Sequence, residues 1–320
     1  MTRKLFITGA SGFVGGAIVQ ALASRYTLLA LSRSEHSDAA IRALGATPVR
    51  GELGSVAAET IAGCVAVIHC AAFVKQWGTR EQFWNANVEG TRQLLQAARQ
   101  AGARRFIHIG TEAALFHGQH MRDIDERYPY PEHTPFLYSE TKGAAEKLVL
   151  AANAPGFATL SIRPRFVWGP GDQTILPVLE AMVKSGRFVW IDGGRALTST
   201  THIANLVHGV ELALERGNGG NAYFVIDEGV TPMREFLTAL LATRQLTPPA
   251  KTIPGWLART LGTATQTAWG VMGKTNDPPL TRFAASMMSR DCTITSDKAR
   301  RELGYEPVIS RNEGLKELSG

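Results

Sequence analysis

The sequence predicts an α/β fold, a doubly wound parallel sheet with helices on both faces, and three observations support this prediction. In the first half of the chain, short apolar runs alternate with longer segments of helical periodicity, the order that builds a parallel sheet. The runs are almost continuously hydrophobic, as strands buried on both faces are. A glycine-rich segment, residues 9–15, directly follows the first run, at the edge where such sheets bind ligands.

The predicted elements follow in order along the chain. Buried strands are predicted for five runs rich in apolar and β-branched residues: 5–7, 27–31, 65–68, 105–109 and 158–163. Helices are predicted where apolar residues recur with a period near 3.6: 13–24, 39–44, 81–100, 202–215 and 233–243. No long linker and no internal repeat separates the two halves, so we expect one folding unit.

Composition limits the classes of partner. Lys and Arg number 34 against 28 Asp and Glu, a net charge of +6. The cations are scattered and form no run interleaved with aromatic residues, which disfavours nucleic acid, whereas a phosphate-bearing cofactor accounts for part of the excess. No stretch approaches the roughly 18–20 apolar residues that span a bilayer, and the N-terminal apolar run is too short for a secretory signal. We therefore expect a cytoplasmic protein without stable membrane insertion.

The cysteines and histidines predict no metal site. Cys64, Cys70 and Cys292 form no Cys-x-x-Cys pair, and five histidines show no closed zinc spacing: His69, His108, His117, His120 and His133. We expect the cysteines to be small core residues and the histidines to lie at the surface or at strand ends.

The apolar segment 256–272 leaves three roles open. It contains Trp256, Trp269 and Val271 among many threonines. A lid or wall for an apolar substrate, a contact with a membrane surface and a helix packed on the core are all compatible with this pattern.

The glycine-rich segment predicts a dinucleotide site. It reads Thr8-Gly9-Ala10-Ser11-Gly12-Phe13-Val14-Gly15, between a predicted strand and a predicted helix, which is the context that such a site requires. The first glycine allows the tight turn, the second lets the backbone approach the pyrophosphate, and the third lets the helix pack closely on the strand. The pyrophosphate then lies at the helix N-terminus, where free N–H groups favour negative charge. Predicted cofactor contacts here are Gly9, Ser11, Gly12, Phe13, Val14 and Gly15.

Arg33 favours NADP over NAD. An acidic residue at the end of the second strand would bind the ribose 2′-hydroxyl of NAD, but the chain there reads Leu31-Ser32-Arg33-Ser34. An arginine can instead bind a 2′-phosphate through two parallel hydrogen bonds. A solvated loop residue that stacks on adenine is the alternative role for Arg33.

Tyr138 and Lys142 predict proton transfer. They lie four residues apart, on one face of a helix. A tyrosine pKa of about 10 is too high for a base near neutral pH, but a nearby ammonium and a positive nicotinamide lower it. Thr111, after the strand 105–109, offers a hydroxyl to orient a substrate oxygen. Asn87, inside the helix 81–100, either fixes backbone geometry or holds a proton-relay water.

Together these motifs resemble the extended short-chain dehydrogenase/reductases, the NAD-dependent epimerase/dehydratase family. The likeness is greatest to its 3β-hydroxysteroid dehydrogenase-like branch, and later stretches such as Thr201-His202-Ile203 and Pro278-Pro279-Leu280 extend it towards the C-terminus. The matching motifs, in the expected order, are Thr8-Gly9-x-x-Gly12-x-x-Gly15, Val67-Ile68-His69-Cys70-Ala71-Ala72, Asn87-x-x-Gly90-Thr91, Tyr138-x-x-x-Lys142 and Arg163-Pro164-Arg165-x-Val167-Trp168-Gly169-Pro170-Gly171.

The resemblance implies a Rossmann fold and a set of site residues. Thr111, Tyr138 and Lys142 would form the catalytic triad, with Lys142 also holding the nicotinamide ribose. Further cofactor contacts would come from strand ends and loops: Leu53, Ala71, Ala72, Asn87, Pro164 and Val167. Residues 1–170 would form the NAD(P)-binding core, to which later strands return, and residues 171–320 mainly a small substrate-binding lobe of the same folding unit. Family members commonly dimerise through the helices that carry Asn87 and Tyr138.

Two departures from the family pattern stand out. Gly110-Thr111 replaces the usual pair of hydroxyl residues but keeps one hydroxyl. Glu52 stands where an aspartate is usual, which puts an adenine contact by this side chain in doubt.

The reaction expected is interconversion of a secondary alcohol and a ketone on a hydrophobic, sterol-like or 3-keto substrate. Dehydratases of the family follow the threonine with Asp-Glu, whereas Glu112-Ala113 lacks the second acid. A nucleotide-sugar 4-epimerase and a non-catalytic NADP-binding module remain alternatives. A wall of aromatic residues favours the hydrophobic substrate: Phe73, Trp77, Trp84, Phe116, Phe166, Trp168, Trp190, Trp256 and Trp269.

Overall fold

The computed structural model describes residues 3–319 and is built around a seven-stranded parallel sheet. The strands are β1 Lys4–Thr8, β2 Thr27–Ser32, β3 Thr47–Arg50, β4 Cys64–His69, β5 Arg105–Ile109, β6 Met121–Ile124, β7 Ala158–Arg163, β8 Val167–Trp168, β9 Trp190–Ile191, β10 Leu197–Thr198, β11 Thr201–His202, β12 Asn221–Phe224, β13 Thr231–Pro232, β14 Thr252–Ile253 and β15 Cys292–Ile294. The large sheet has the order β12-β7-β5-β4-β1-β2-β3, which confirms the predicted doubly wound fold.

Helices cover both faces of this sheet. They are α1 Phe13–Leu22, α2 Glu35–Ala43, α3 Ala58–Ile61, α4 Arg80–Trp84, α5 Gly90–Gln100, α6 Leu137–Ala151, α7 Leu176–Lys184, α8 Ile203–Arg216, α9 Met233–Ala242, α10 Gly255–Val271, α11 Arg282–Ser289, α12 Asp297–Leu303 and α13 Arg311–Ser319. The core has two layers because alternate strand residues face opposite sides: Leu5 and Ile7 pack with α1 and α8, and Phe6 packs with α5.

Two of the predicted helices differ most from the structure. α2 begins at Glu35 instead of residue 39, because the Ser34 side chain accepts a hydrogen bond from the Ser37 amide and caps the helix. The predicted helix 81–100 contains a π-helical turn, Asn85–Glu89, between α4 and α5. Such single turns are frequent at functional sites, and apolar periodicity does not predict them.

A second, smaller sheet lies beside the large one and mixes residues from both halves of the chain. It has the order β13-β10-β15-β6, so Met121–Ile124 pairs with Cys292–Ile294. Conversely, the late strand β12, Asn221–Phe224, belongs to the large sheet and pairs with β7. The division at residues 170 and 171 stays a prediction.

Helix α10 contains most of the apolar segment 256–272 and has one packed side and one exposed side. Gly255, Ala258 and Gly262 are buried, whereas Trp256 is 62% and Val271 85% exposed. Leu257 and Trp269 are half-buried beside these small residues, so one side of the helix packs on the protein, and the three roles predicted for the segment stay open. Within residues 3–319, no helix is both long and apolar enough to cross a membrane.

Candidate active site

The predicted site residues gather at the carboxyl ends of five strands of the large sheet, β1, β2, β4, β5 and β7. The glycine loop joins β1 to α1, and its geometry explains two of its glycines. Gly9 has a φ of 73°, and a Cβ there would lie 2.7 Å from the Ala71 amide nitrogen. A Cβ on Gly15 would lie 2.1 Å from the Gly9 carbonyl oxygen. Both positions therefore exclude a side chain, as a close dinucleotide cradle requires.

The remainder of the loop is open to a ligand. Ser11 and Gly12 are exposed, and Gly12 precedes the first turn of α1 without a side-chain cap. The amides at this helix N-terminus are therefore available to an anion. The half-buried Phe13 ring lies 3.7 Å from the Cβ position of Gly171, so the loop after β8 lies beside the glycine loop.

The residues after β4 are fixed by a buried histidine. His69 lies 2.7 Å from the Thr8 hydroxyl and 2.9 Å from the Thr91 hydroxyl. Thr8 in turn accepts a hydrogen bond from the Ala71 amide at 3.2 Å. Burial, with a smaller effect of Lys142, lowers the pKa of His69 to about 3. A neutral His69 thus holds the backbone at Ala71, next to the glycine loop.

Asn87 has a structural role that its contacts make plain. It is buried within the π-helical turn, and its side-chain oxygen accepts a hydrogen bond from the Phe73 amide at 2.7 Å. Its side-chain nitrogen donates to the Phe73 carbonyl and to the Thr141 hydroxyl. Of the two roles predicted, these contacts match the fixing of backbone geometry. Contact of Asn87 with a cofactor stays a prediction.

Lys142 is buried below the end of β5. Its Nζ donates to the Ile109 carbonyl at 2.8 Å and lies 3.3 Å from His108 Nε2. Burial lowers the pKa of Lys142 to about 8, although Glu146 and Cys70 act in the opposite direction. Burial and the positive Lys142 also lower the pKa of His108. At neutral pH the lysine is therefore charged while the histidine is neutral.

Tyr138 lies one helical turn before Lys142, within hydrogen-bonding reach of Thr111. Burial raises the pKa of Tyr138, the Glu112 carboxylate raises it further, and the Thr111 hydrogen bond lowers it only in part. Tyr138 is therefore protonated at neutral pH. In the protein alone the Lys142 ammonium group donates to the Ile109 carbonyl, and its effect on the pKa of Tyr138 beside a positive nicotinamide stays a prediction.

Glu112 is a buried site residue that the sequence reasoning missed. Its Oε2 accepts a hydrogen bond from the Thr111 hydroxyl at 2.8 Å, and its Oε1 forms a 2.5 Å ion pair with Arg165. Arg165 is only 1% exposed and also donates to Thr198. A hydroxyl carries one hydrogen, and that of Thr111 is directed at Glu112, while the Thr111 oxygen accepts from the Ala113 amide at 3.2 Å. The sequence signal for this pair was one charged residue in each of two mostly apolar segments, Glu112 after β5 and Arg165 after β7.

A second buried pair holds α6, the helix of Tyr138 and Lys142. Arg163, the last residue of β7, donates to Glu146 of α6 at 2.7 Å. Glu146 also accepts from Ser161 at 2.6 Å and from the Tyr130 hydroxyl at 2.7 Å. Burial opposes ionisation of Glu146, but Arg163 and these hydrogen bonds outweigh it, so the pKa is lowered. The pair fixes α6 to the sheet just below Lys142.

The other predicted contacts lie at both ends of the site. Arg33 is exposed at the end of β2, and Leu53 packs on Gly90, where a Cβ would lie 2.7 Å away. At the opposite end Pro164 is buried and Val167 half-buried. Glu52, whose adenine contact was in doubt, is exposed.

The predicted aromatic wall is only partly correct. Trp168 and Trp190 are buried in an apolar cluster with Phe236, and Trp168 donates to Asp227 at 2.8 Å. These two tryptophans are core residues and do not line a ligand site, because large aromatic side chains are often buried for packing alone. Phe116, also buried, belongs to a different cluster that reaches Tyr138 through Phe283. Among residues 3–319, no group of three His, Cys, Asp or Glu side chains is arranged to hold a metal ion.

Comparison with known proteins identifies the family. Residues 6–253 match the profile of the 3-beta hydroxysteroid dehydrogenase/isomerase family. The chain belongs to this family. It is thus a nicotinamide-dependent oxidoreductase of CH–OH and ketone groups, as the sequence motifs predict.

Two curated members of the family cover nearly the whole chain. A 4-hydroxy-2-methyl-3-oxo-4-farnesyl-3,4-dihydroquinoline-1-oxide ketoreductase of Stigmatella aurantiaca is 41% identical over 98% of this chain and 95% of its own length. A 2-alkyl-3-oxoalkanoate reductase of Stenotrophomonas maltophilia is 33% identical over 98% of each chain. A solved structure, UDP-glucuronic acid 4-epimerase from Bacillus cereus with NAD, is similar in fold, with a TM-score of 0.76, 18% identity and 98% coverage of both chains.

For this family member, Glu112→Gln is expected to shift the pH dependence of alcohol oxidation to lower pH. The glutamate raises the pKa of Tyr138, so a neutral amide of the same shape lowers it and makes the phenolate available at lower pH. The profile of kcat/KM against pH measures this shift, and a melting curve checks that the Arg165 contact survives. Glu126→Gln, a change of another partly buried carboxyl group in the loop after β6, is the control. An unchanged profile in Glu112→Gln would contradict the assignment.

Proposed function

We propose that this chain is an NADP(H)-dependent reductase of ketones on hydrophobic molecules, with Tyr138 as the proton donor. The observation that carries the proposal is the arrangement of Tyr138, Thr111 and Lys142 at one edge of the sheet. Tyr138 lies next to the Thr111 hydroxyl, and Lys142 follows one helical turn later. The raised pKa of Tyr138 supports its role as a proton donor near neutral pH, because a protonated phenol can donate to a ketone oxygen.

The cofactor cradle fits a dinucleotide phosphate. At Gly9 and Gly15 any Cβ would collide with backbone, and the first turn of α1 has open amides for the pyrophosphate. We assign the ribose hydroxyls to Lys142 and the 2′-phosphate to Arg33, whose side chain is exposed at the end of β2. When bound, the nicotinamide supplies the hydride or accepts it.

The protein's own part in the reaction is proton transfer and orientation. Tyr138 donates its proton to the ketone oxygen, or takes one from an alcohol in the reverse direction. Thr111 fixes the tyrosine hydroxyl, and its own hydrogen is directed at Glu112. Lys142 brings a positive charge to the same edge, and this charge falls away as the pH rises past about 8, the pKa of this buried lysine.

The surroundings of Tyr138 support a hydrophobic substrate. The Phe283 ring packs edge-on to Tyr138 at 5.7 Å, and Phe116 and Phe136 stack at 5.5 Å behind it. Both curated relatives are named for a 3-oxo group beside a carbon 2 that carries an alkyl group. We therefore propose a 2-alkyl-3-oxo compound, or the corresponding 3-hydroxy compound, as the substrate class.

The proposal also covers the location of the protein, its assembly and the division of the chain. We propose a cytoplasmic homodimer that pairs through the helices of Asn87 and Tyr138, and a core of residues 1–170 with a mainly substrate-binding part in residues 171–320. Light scattering of the purified protein measures its mass in solution and decides between monomer and dimer.

A substrate panel tests the proposed reaction. Purified protein is mixed with NADPH and with 2-alkyl-3-oxoalkanoates, prenylated cyclic ketones, sterol ketones and UDP-sugars, and the loss of nicotinamide absorbance is followed; for UDP-sugars, the products are separated. Turnover of the 2-alkyl-3-oxo compounds is the expected result. Turnover restricted to UDP-sugars would indicate an epimerase, and tight NADPH binding without any turnover would indicate a binding module.

Arg33→Ala is expected to lower kcat/KM for NADPH by about 10–100-fold, the value of hydrogen bonds to a charged phosphate. The same change should leave kcat/KM for NADH within about twofold, because NADH has no 2′-phosphate. Steady-state rates with both cofactors measure the ratio. Arg42→Ala, which removes an exposed arginine from the last turn of α2, is the matched control. Equal losses with both cofactors would remove the basis for NADP preference.

A further inference from the structure

Helix α10 presents an unusual outer face. Of the nine exposed large apolar side chains in residues 3–319, four lie on α10 or immediately after it: Trp256, Leu261, Val271 and Met272. The exposed positions of α10 lie within one half of the helix circumference, because most of them recur at intervals of three or four residues: 256, 260, 261, 263, 264, 267, 268, 270 and 271. None of these positions carries a charge, whereas the solvent-facing side of a helix in a water-soluble protein is normally polar or charged.

The threonines of this face have little hydrogen-bonding capacity left for water. Thr260, Thr263 and Thr267 each donate to the carbonyl four residues earlier, at 2.9–3.0 Å. In this arrangement the hydroxyl hydrogen is used within the helix, and the methyl groups contribute to the outer surface. The face is therefore less polar than its threonine content suggests.

The helix is held rigidly with this face outward. Its inner side packs on α11 so closely that a Cβ on Gly262 would lie 2.7 Å from the Arg282 amide nitrogen. Just beyond its C-terminus, the Lys274 carbonyl accepts a hydrogen bond from Trp77 at 2.9 Å. Trp256 and Val271 are fifteen residues apart, about 22 Å along the axis, so both ends of the face can touch one flat surface.

The charges near the two ends of the face are mainly positive, although Asp192 accepts a hydrogen bond from the Gly255 amide and Asp277 is exposed three residues after Lys274. Residues 236–276 contain no Asp or Glu, but four cations, Arg244, Lys251, Arg259 and Lys274. Lys251 and Lys274 are exposed and lie just outside the two ends of α10. An uncharged helix face with a tryptophan, flanked by lysines, matches a helix that lies in the headgroup region of a membrane.

We propose that the outer face of α10 binds reversibly to the surface of an anionic phospholipid membrane. Trp256, Val271 and Met272 enter the headgroup region, and Lys251 and Lys274 pair with lipid phosphates. The proposal concerns binding alone and does not depend on the proposed reaction. It involves no membrane span, in keeping with the absence of a spanning helix among the described residues.

Vesicle flotation tests this proposal. Full-length protein is floated with vesicles of phosphatidylcholine alone, or of phosphatidylcholine and phosphatidylglycerol in a ratio of about three to one. Binding to the anionic vesicles is expected, and it should weaken about 25-fold when Lys251 and Lys274 are both replaced by glutamine, at about fivefold for each charge. Trp256→Ser combined with Val271→Ser should weaken binding about tenfold or more.

A matched control separates this face from exposed apolar residues in general. Val308→Ser changes a valine that is 58% exposed in the loop before α13, and its binding should equal that of the unaltered protein. Melting curves check that every variant folds. Absence of flotation with anionic vesicles, or equal flotation of the Trp256→Ser/Val271→Ser variant, overturns the proposal. A dimer that light scattering detects in the unaltered protein but not in this variant would assign the face to a second copy and also overturn it.

Discussion

Replacing Tyr138 with phenylalanine is expected to lower kcat for ketone reduction by about 10²–10⁴-fold, the usual contribution of a positioned general acid. The change removes the proton donor but keeps the ring that packs against Phe283 at 5.7 Å. KM should change little, because the lost interaction belongs to the transition state. Steady-state reduction of a 2-alkyl-3-oxo compound with NADPH measures both constants.

The control for Tyr138→Phe removes a hydroxyl elsewhere. The Tyr128 hydroxyl only accepts a 3.3 Å hydrogen bond from Gln119, so Tyr128→Phe should retain nearly full activity. Turnover of Tyr138→Phe close to that of the unaltered protein would remove Tyr138 from the mechanism. A lower melting temperature with lost activity would instead indicate a structural role.

Arg163→Met is expected to destabilise the fold by about 3–5 kcal/mol, the effect of removing one partner of a buried ion pair. Glu146 is fully buried, and it would lose its hydrogen bonds from the Arg163 guanidinium. The lowered pKa of Glu146 means that its contribution to stability is present above the ordinary carboxyl pKa and is lost as the pH falls through the lowered value. Urea denaturation at neutral and acidic pH measures both effects.

A surface pair provides the control for Arg163→Met. The exposed side chains of Arg92, on α5, and Glu89, in the π-helical turn before it, are 3.2 Å apart, and such surface pairs contribute about 0–1 kcal/mol. Arg92→Met should therefore change the free energy of unfolding only slightly. Equal effects of the two substitutions would show that the buried pair does not hold α6 to the sheet.

The sheet and the cofactor cradle could be predicted because their signals are local. β1, β4 and β5 are mostly apolar runs, as expected for strands that are buried on both faces of the sheet and therefore do not alternate regularly between apolar and polar residues. Gly15 packs against Gly9, six residues earlier, and Gly9 packs against Ala71 at the end of the adjacent strand. Both contacts require glycine. Tyr138 and Lys142 are one helical turn apart, and their spacing of four residues is enough to predict that they share a helix face.

The charge pairs at the site could not be predicted, because their partners are distant in sequence. Glu112 and Arg165 are 53 residues apart, and only the pairing of β5 with β7 brings their strand ends together. The small sheet could not be predicted for the same reason, since its strands β6 and β15 are far apart in the sequence. Likewise, the apolar content of residues 256–272 did not indicate which side of α10 faces the protein, because Gly262 and Ala258 make the contact.

The burial of Lys142 has a consequence for how the family can diversify. A lysine whose pKa falls to about 8 on burial is less favourable to the fold as a cation than it is in water. Substitution by an apolar residue of similar length removes that cost, so natural selection on folding alone does not preserve the amine. Under the proposed function, a family member that loses this amine would lose activity before it loses the fold.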